Sequence, residues 1–136
     1  MEPHECRRRF GLADHAYLAT VNDDASPHLV PVTFALAADT IVIAVDHKPK
    51  RTTALRRLHN IARRPAVSLL VDEYASDWAR LWWARADGTA ALAHDGPVRD
   101  EGIERLVARY SQYRDVRPDG AVIVVSVHRW SGWSAR

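Results

Sequence analysis

The segment His47-Lys48-Pro49-Lys50-Arg51-Thr52 concentrates the residue types that bind an oxyanion. Lys48 and Lys50 are the only lysines of the 136-residue chain, and all its other cationic side chains apart from histidine are arginines. Two ammonium groups, one guanidinium and the hydroxyls of Thr52 and Thr53 could each donate a charge-assisted or neutral hydrogen bond to phosphate oxygens. An amphipathic helix is expected to begin here, and the unpaired N–H groups and positive end of a helix dipole favour an anion at that position. A second reading stays open, in which the segment is a solvated basic turn, because cations at a helix start oppose the same dipole.

Other single residues offer less. His28 lies in a strand and is a candidate to polarise a carbonyl or supply a proton. With His15, His47, His59, His94 and His128 it is also a possible haem ligand, although these histidines show no clustered spacing. Asp72, Glu73 and Asp77 read as an acidic solvated loop, Tyr110 and Tyr113 as helix packing, and the single Cys6 as incidental. One cysteine cannot make an internal disulfide, and zinc-type Cys/His spacings are absent from the sequence.

The elements that must position these residues follow from periodicity. A short helix is expected over 2–12. Ala16 to Val21 reads as a strand that stops at the turn residues Asn22 to Pro27. His28 to Leu36 reads as a second strand, in which Pro31 implies an edge, a bulge or a break. Thr40 to Val45 is apolar at consecutive positions and is expected to be a central strand covered on both faces. Ala54, Leu55, Leu58, Ile61 and Ala62 recur at helical spacing between Arg51 and Arg63, with Arg56, Arg57, His59 and Asn60 mostly on the other face. Strands follow at 66–71 and 80–86, and Asp87-Gly88 reads as a hairpin turn into 89–93. A helix over 98–111 and a last strand over 121–127 precede the aromatic tail Trp130 to Trp133. Short connections between early strands indicate an antiparallel meander rather than a Rossmann-type βαβ fold, and a closed barrel leaves no long free edge.

Composition narrows the class. The chain is 47% hydrophobic and 26% charged, which suits a single folded domain spanning residues 1–136. No apolar run reaches the length of a membrane span, and no signal-like segment opens the chain, so a cytoplasmic location is expected. The pI is near 9.0 but the net charge is only +2, which argues against nucleic acid as a partner. Trp82 and Trp83 alternate in a strand and are expected to divide between core and interface rather than to stack on bases. The arginine and alanine bias suggests a GC-rich genome.

Leu18-Ala19-Thr20-Val21, the turn through Ser26-Pro27, His28-Leu29-Val30-Pro31-Val32, the basic loop, Ile61-Ala62-Arg63-Arg64-Pro65-Ala66-Val67 and Asp87-Gly88-Thr89-Ala90 occur in a characteristic order. That order resembles the pyridoxamine 5'-phosphate oxidase-like (PPOX class) flavoprotein superfamily over about residues 10 to 133. The segment Trp78 to Gly88 is similar to one in an actinobacterial subgroup of probable deazaflavin-dependent oxidoreductases. The resemblance implies a mainly β, minor α fold: an antiparallel split β-barrel of the FMN-binding type with two or three helices. It implies a homodimer with two cofactor sites at its interface. The cofactor ring would lie along Val30, Pro31, Val32 and Thr33, and its phosphate would meet Lys48, Lys50, Arg51 and Thr52. Trp130 and Trp133 would approach the partner's ring. The full arginine, lysine and serine set of true pyridoxamine phosphate oxidases is missing, so vitamin B6 oxidation is not expected. The activity implied is hydride transfer between the deazaflavin F420 and a small organic substrate. FMN is the alternative cofactor, and a non-catalytic flavin-, deazaflavin- or haem-binding protein is the alternative function.

Overall fold

The structure, a computed structural model, describes residues 1–45 and 52–136, with the side chains of 52–55 also outside the description. Among the described residues seven strands form one antiparallel sheet: β1 (Ala16–Val21), β2 (Pro27–Val32), β3 (Ala35–Ala37), β4 (Thr40–Ala44), β5 (Ala66–Glu73), β6 (Trp82–Ala93) and β7 (Val122–Ser134). Their order is β2-β1-β5-β6-β7-β4-β3. The helices are α1 (Pro3–Leu12), α2 (Thr52–Arg63), α3 (Gly96–Arg109) and α4 (Ser111–Asp115).

This order forces the sheet to curl. β2 and β3 are its two edges, yet only Thr33 and Phe34 separate them in the chain. A flat sheet would hold the edges roughly 29 Å apart at about 4.8 Å per strand step. Three Cα steps reach at most about 11 Å. The sheet therefore rolls into a barrel that is split at the β2/β3 seam.

The barrel interior holds the main core, with Phe10, Leu18, Phe34, Ile41, Ile43, Leu69, Ile123 and Val125 all buried. A second cluster lies outside the sheet, where α3 lays Ile103 and Leu106 on Ala35, Val42, Ala44 and Val122. These two clusters explain the unbroken apolar run 40–45. Ile41 and Ile43 face the barrel and Val42 and Ala44 face α3, so the covering comes from the helix and not from a central place in the sheet. Pro31 sits on edge strand β2, where its missing N–H costs no ladder bond. The expected strand 28–36 is broken after Val32, at the seam, rather than at Pro31.

The Asp87-Gly88 turn is corrected. β6 runs straight through it, with Ala84, Ala86, Gly88 and Ala90 buried in alternation. Gly88 is required by close approach, since a Cβ there would lie 2.3 Å from the Ser126 carbonyl oxygen. The β6/β7 register slips between Asp87, opposite Arg129, and Gly88, opposite Val127, leaving His128 as the extra residue of a bulge. The slip reverses which side chains point inward, from Ile123, Val125 and Val127 before it to Trp130 and Gly132 after it. Hence the aromatic tail is the second half of β7, not an appendage. Gly88→Ala is expected to lower unfolding free energy by about 1–3 kcal/mol through forced backbone displacement. A urea midpoint equal to that of the parent chain would contradict this.

α1 closes one end of the barrel through Phe10 and is held on its solvent side by Glu5. Arg8 donates from Nε and Nη2 to Glu5 at 2.9 and 2.8 Å, and Arg9 Nε donates at 2.7 Å. The Arg8 hydrogen bond first, and that of Arg9 next, bring the Glu5 carboxyl down from 4.5 to about 2. A depressed folded-state value contributes stability that is present above 4.5 and lost as pH falls toward 2. Glu5→Gln should therefore lower Tm near neutral pH and converge on the parent Tm as pH approaches 2. A Tm difference independent of pH would exclude the ion pairs as its source.

Candidate functional site

The β2/β3 seam is fastened from outside by the end of α3 and by α4. Arg109 Nη1 donates to the Phe34 carbonyl at 2.8 Å, and its Nη2 donates to the carbonyl of Ala13 at the end of α1. Its guanidinium lies over the Phe34 ring, 4.7 Å from the centroid. The Tyr110 hydroxyl accepts from the Phe34 N–H at 3.2 Å and has the Asp14 carbonyl at 2.8 Å as an acceptor. Tyr113 and Thr33 share a hydroxyl hydrogen bond of 2.8 Å. Both tyrosines pack against the second core cluster, as expected, and these hydrogen bonds add a second role at the seam.

Beside the seam an open recess of about 400 Å³ is lined by Pro31, Val32, Thr33, Ile43, Ala44, Val45, Arg57, Gln112, Tyr113, Val116 and Pro118. Its walls are mostly apolar, with one cation, one carboxamide and two hydroxyls among them. A ligand there would be desolvated along its faces and oriented by few polar contacts.

Of the residues expected to lie along a cofactor ring, Pro31, Val32 and Thr33 line this recess, whereas Val30 packs against the barrel core. Lys48, Lys50 and Arg51 lie outside the described residues, as does the side chain of Thr52, the first residue of α2. Val45, directly before that stretch, lines the recess. His28 pairs with Thr20 across β1 and β2 and is not among the lining residues; its Nδ1 is buried with no hydrogen-bond partner among the described residues. Trp130 and Trp133 lie on opposite faces of β7. Trp130 packs edge-on against Phe10 at 5.3 Å and donates from Nε1 to Asp39 at 2.9 Å. Trp133 faces outward opposite Trp83. Within one chain neither reaches the recess.

Sequence reasoning missed Arg57, Gln112, Val116 and Pro118, and it gave Tyr113 only a packing role. Arg57 was assigned to the solvent face of its helix. Asn60, expected on that same face, is fully buried and donates to Thr20 Oγ1 at 3.0 Å, so the polar side of α2 turns partly inward, which no pattern in the sequence marks.

A larger recess of about 530 Å³ lies at the end of α1, lined in part by Arg8, Arg9, His15, Asp72, Glu73 and Trp82. Several of its charges are already engaged: Arg8 and Arg9 hold Glu5, Arg9 sits 5.3 Å from the Trp82 ring centroid, and Trp82 Nε1 donates to Glu73 at 3.1 Å. Asp72 and Glu73 belong to β5, not to the solvated loop expected for them. Among the described residues no group of His, Cys, Asp or Glu could hold a metal ion.

A split antiparallel barrel with a recess at its seam defines the fold class, and likeness to known proteins narrows it. The model of the pyridoxamine 5'-phosphate oxidase family matches residues 3–134, and the chain belongs to that family. No curated protein matches the chain significantly. Among solved structures, a conserved hypothetical protein from Mycobacterium tuberculosis is similar with TM-score 0.80 at 18% identity, covering 100% of this chain and 86% of the other. A FAD-binding protein from Mesorhizobium loti has TM-score 0.73 at 18% identity over 97% and 94%. A heme binding protein from Mycobacterium smegmatis has TM-score 0.73 at 17% identity over 96% and 57%. At such identities these likenesses establish the split-barrel fold. No described helix is long and apolar enough to cross a membrane.

Proposed function

We propose that the chain is an oxidoreductase that holds a phosphate-bearing flavin-type cofactor, F420 in the first place and FMN in the second, and exchanges hydride with a small organic substrate. The observation that carries this reading is the seam recess, in which Pro31, Val32 and Thr33 stand together beside Val45, the last described residue before the Lys48-Lys50-Arg51-Thr52 stretch. Its apolar walls and outward-capable hydroxyls suit a flat ring bearing carbonyl oxygens, and the basic stretch suits a phosphate. When bound, the cofactor would supply the hydride chemistry, and the protein's share is position and electrostatics. Pro31 and Val32 would flank the ring, Arg57 would add positive potential, and Thr33 and Tyr113 would offer hydrogen bonds.

F420 stands before FMN on the likeness of Trp78 to Gly88 to the deazaflavin-dependent subgroup. Titration of the purified chain with each cofactor, followed by absorbance and fluorescence, tests the choice. Saturable binding of F420 is expected, and tight FMN binding with no response to F420 would reverse the order. The haem-binding reading has support in the name of one structural neighbour. A Soret band on haem addition would favour it, yet His59 is engaged with Asp23 at 2.7 Å and His128 with Thr89 at 2.8 Å.

The proposal includes a homodimer. Outward residues Pro31, Tyr17, Leu70, Arg85 and Ser131 form one row across five strands. Leu29, Tyr17, Leu70 and Trp133 are 66%, 38%, 37% and 47% exposed, and among the described residues this side of the sheet has no counterpart of the cover that α3 gives β3 and β4. An isologous pairing of this face would bury it.

A further inference from the structure

We infer that Asn60 is a positioning residue: it fixes the register of α2 on the β1–β2 hairpin, and through α2 the place where the basic stretch ahead of that helix meets an anion. The inference rests on the reading above only in taking that anion to be the cofactor's phosphate. Asn60 is fully buried, and its Nδ2 donates both hydrogens, to Thr20 Oγ1 at 3.0 Å and to Asn22 Oδ1 at 2.9 Å. Thr20 is itself buried on β1, and Asn22 opens the turn into β2. Arg64, one helical turn further along, donates from Nη1 to the Asn22 carbonyl at 2.7 Å. His59 and Arg63 reach Asp23 at 2.7 and 3.1 Å, but these pairs stand in solvent and hold little.

Packing does not account for the burial of this amide. Asn60 Oδ1 is buried with no hydrogen-bond partner among the described residues, and so is Nδ1 of His28, which stands opposite Thr20 on β2. A buried orphan acceptor is costly, and leucine at this helical position would carry no such cost. What a planar amide adds is direction. Leu58 and Ile61 press α2 onto the barrel core, yet apolar attraction is non-directional and leaves rotation and axial register open. Two hydrogen bonds from one amide to Thr20 and Asn22 set both. The hairpin is also the shared base of the two arms of the site. β2 runs from it to Pro31 and Val32 at the seam recess, and α2 runs back from it past Arg57, which lines the same recess, to Thr52. Asn60 stands eight residues from the start of α2, roughly 12 Å along the helix axis. A tilt of about 10° about the clasp would move that end by about 2 Å, more than a hydrogen bond to a phosphate oxygen tolerates.

The opposing explanation is that Asn60 only steadies the turn. Phosphate dependence separates the two. FMN and riboflavin differ only in the phosphate, and F420 with its phosphate-free deazaflavin core forms a second such pair. By fluorescence titration, Asn60→Leu should weaken FMN or F420, whichever the parent chain binds, about tenfold or more, the worth of one charge-assisted hydrogen bond. The phosphate-free member of the pair should weaken far less. Thr20→Val, which removes one of the two acceptors with little change of shape, should act in the same direction and keeps the test decisive if Asn60→Leu does not fold. Equal weakening within a pair, or none, would make Asn60 a determinant of the fold alone and overturn the inference. Hydrogen exchange supplies a readout that needs no cofactor. Amides of α2 ahead of Asn60 should lose protection in either variant while those of α3 keep theirs, and unchanged protection ahead of Asn60 would equally overturn the inference. A parent chain that binds neither FMN nor F420 would sink the proposed activity, and the exchange result would still decide the role of Asn60.

Discussion

Replacing Lys50 and Arg51 together with alanine is expected to weaken cofactor binding by about two to four orders of magnitude while leaving far-UV circular dichroism and oligomeric state unchanged. Each charge-assisted hydrogen bond to a phosphate oxygen contributes about 1.5–3 kcal/mol. Two of them sum to about 3–6 kcal/mol, and every 1.4 kcal/mol is tenfold in affinity. The effect should shrink as salt rises, because ions screen the same attraction in the parent chain. Fluorescence titration of parent and double variant at two ionic strengths reads both quantities. Unchanged affinity in the double variant would place the phosphate elsewhere and return the stretch to the status of a solvated basic turn. The fold should tolerate the change, since lysine and arginine side chains seldom belong to a buried core.

The second large effect is expected from Phe34→Ala, which should remove about 3–5 kcal/mol of unfolding free energy. Phe34 is fully buried, its ring centroid 5.0 Å from that of Phe10, and the Arg109 guanidinium covers its face. Truncation would open a cavity where the barrel end, α1 and α3 meet, and would strip Arg109 of its cation–π partner. Phe34 is also one of the two residues that carry the chain from one sheet edge to the other, so Thr33 and the recess should lose definition with it. Urea denaturation would register the loss as a lower midpoint at similar slope. Phe34→Leu, which refills most of the volume, should recover much of the difference. A loss below about 1 kcal/mol for the alanine variant would mean that the seam is not held through this ring.

What could be read from the chain was what local periodicity encodes. β1, the helix at 52–63 and the paired turn residues before β2 emerged because each pattern depends on neighbours within a few residues. The doubly covered run at 40–45 emerged for the same reason, although the helix that covers it could not be named. Two failures have one cause. Asp87-Gly88 has the composition of a hairpin turn, yet Gly88 is small because the Ser126 carbonyl passes over it. The strand 122–134 was cut at Val127 because the bulge at His128 inverts the inward phase of the pattern, and a periodic reading sees an inversion as an end. The alternation of Ala84, Ala86, Gly88 and Ala90 carried the correct answer and was outweighed by the turn signal.

The candidate site divides along the same line. A basic stretch ahead of a helix, and a proline-bearing strand beside it, are legible in one dimension because charge type and backbone restriction belong to single residues. Family membership, too, was carried by the order of short motifs. Tertiary structure alone could bring Tyr113 to Thr33, eighty positions away, or turn Arg57 toward the recess. It alone could also set Trp130 and Trp133 on opposite faces of one strand. Those placements follow from sheet closure and from a one-residue slip in register, and both are properties of strand pairing between distant segments. The basic stretch therefore marks where an anion is expected, while the seam that closes the barrel decides what else stands beside it.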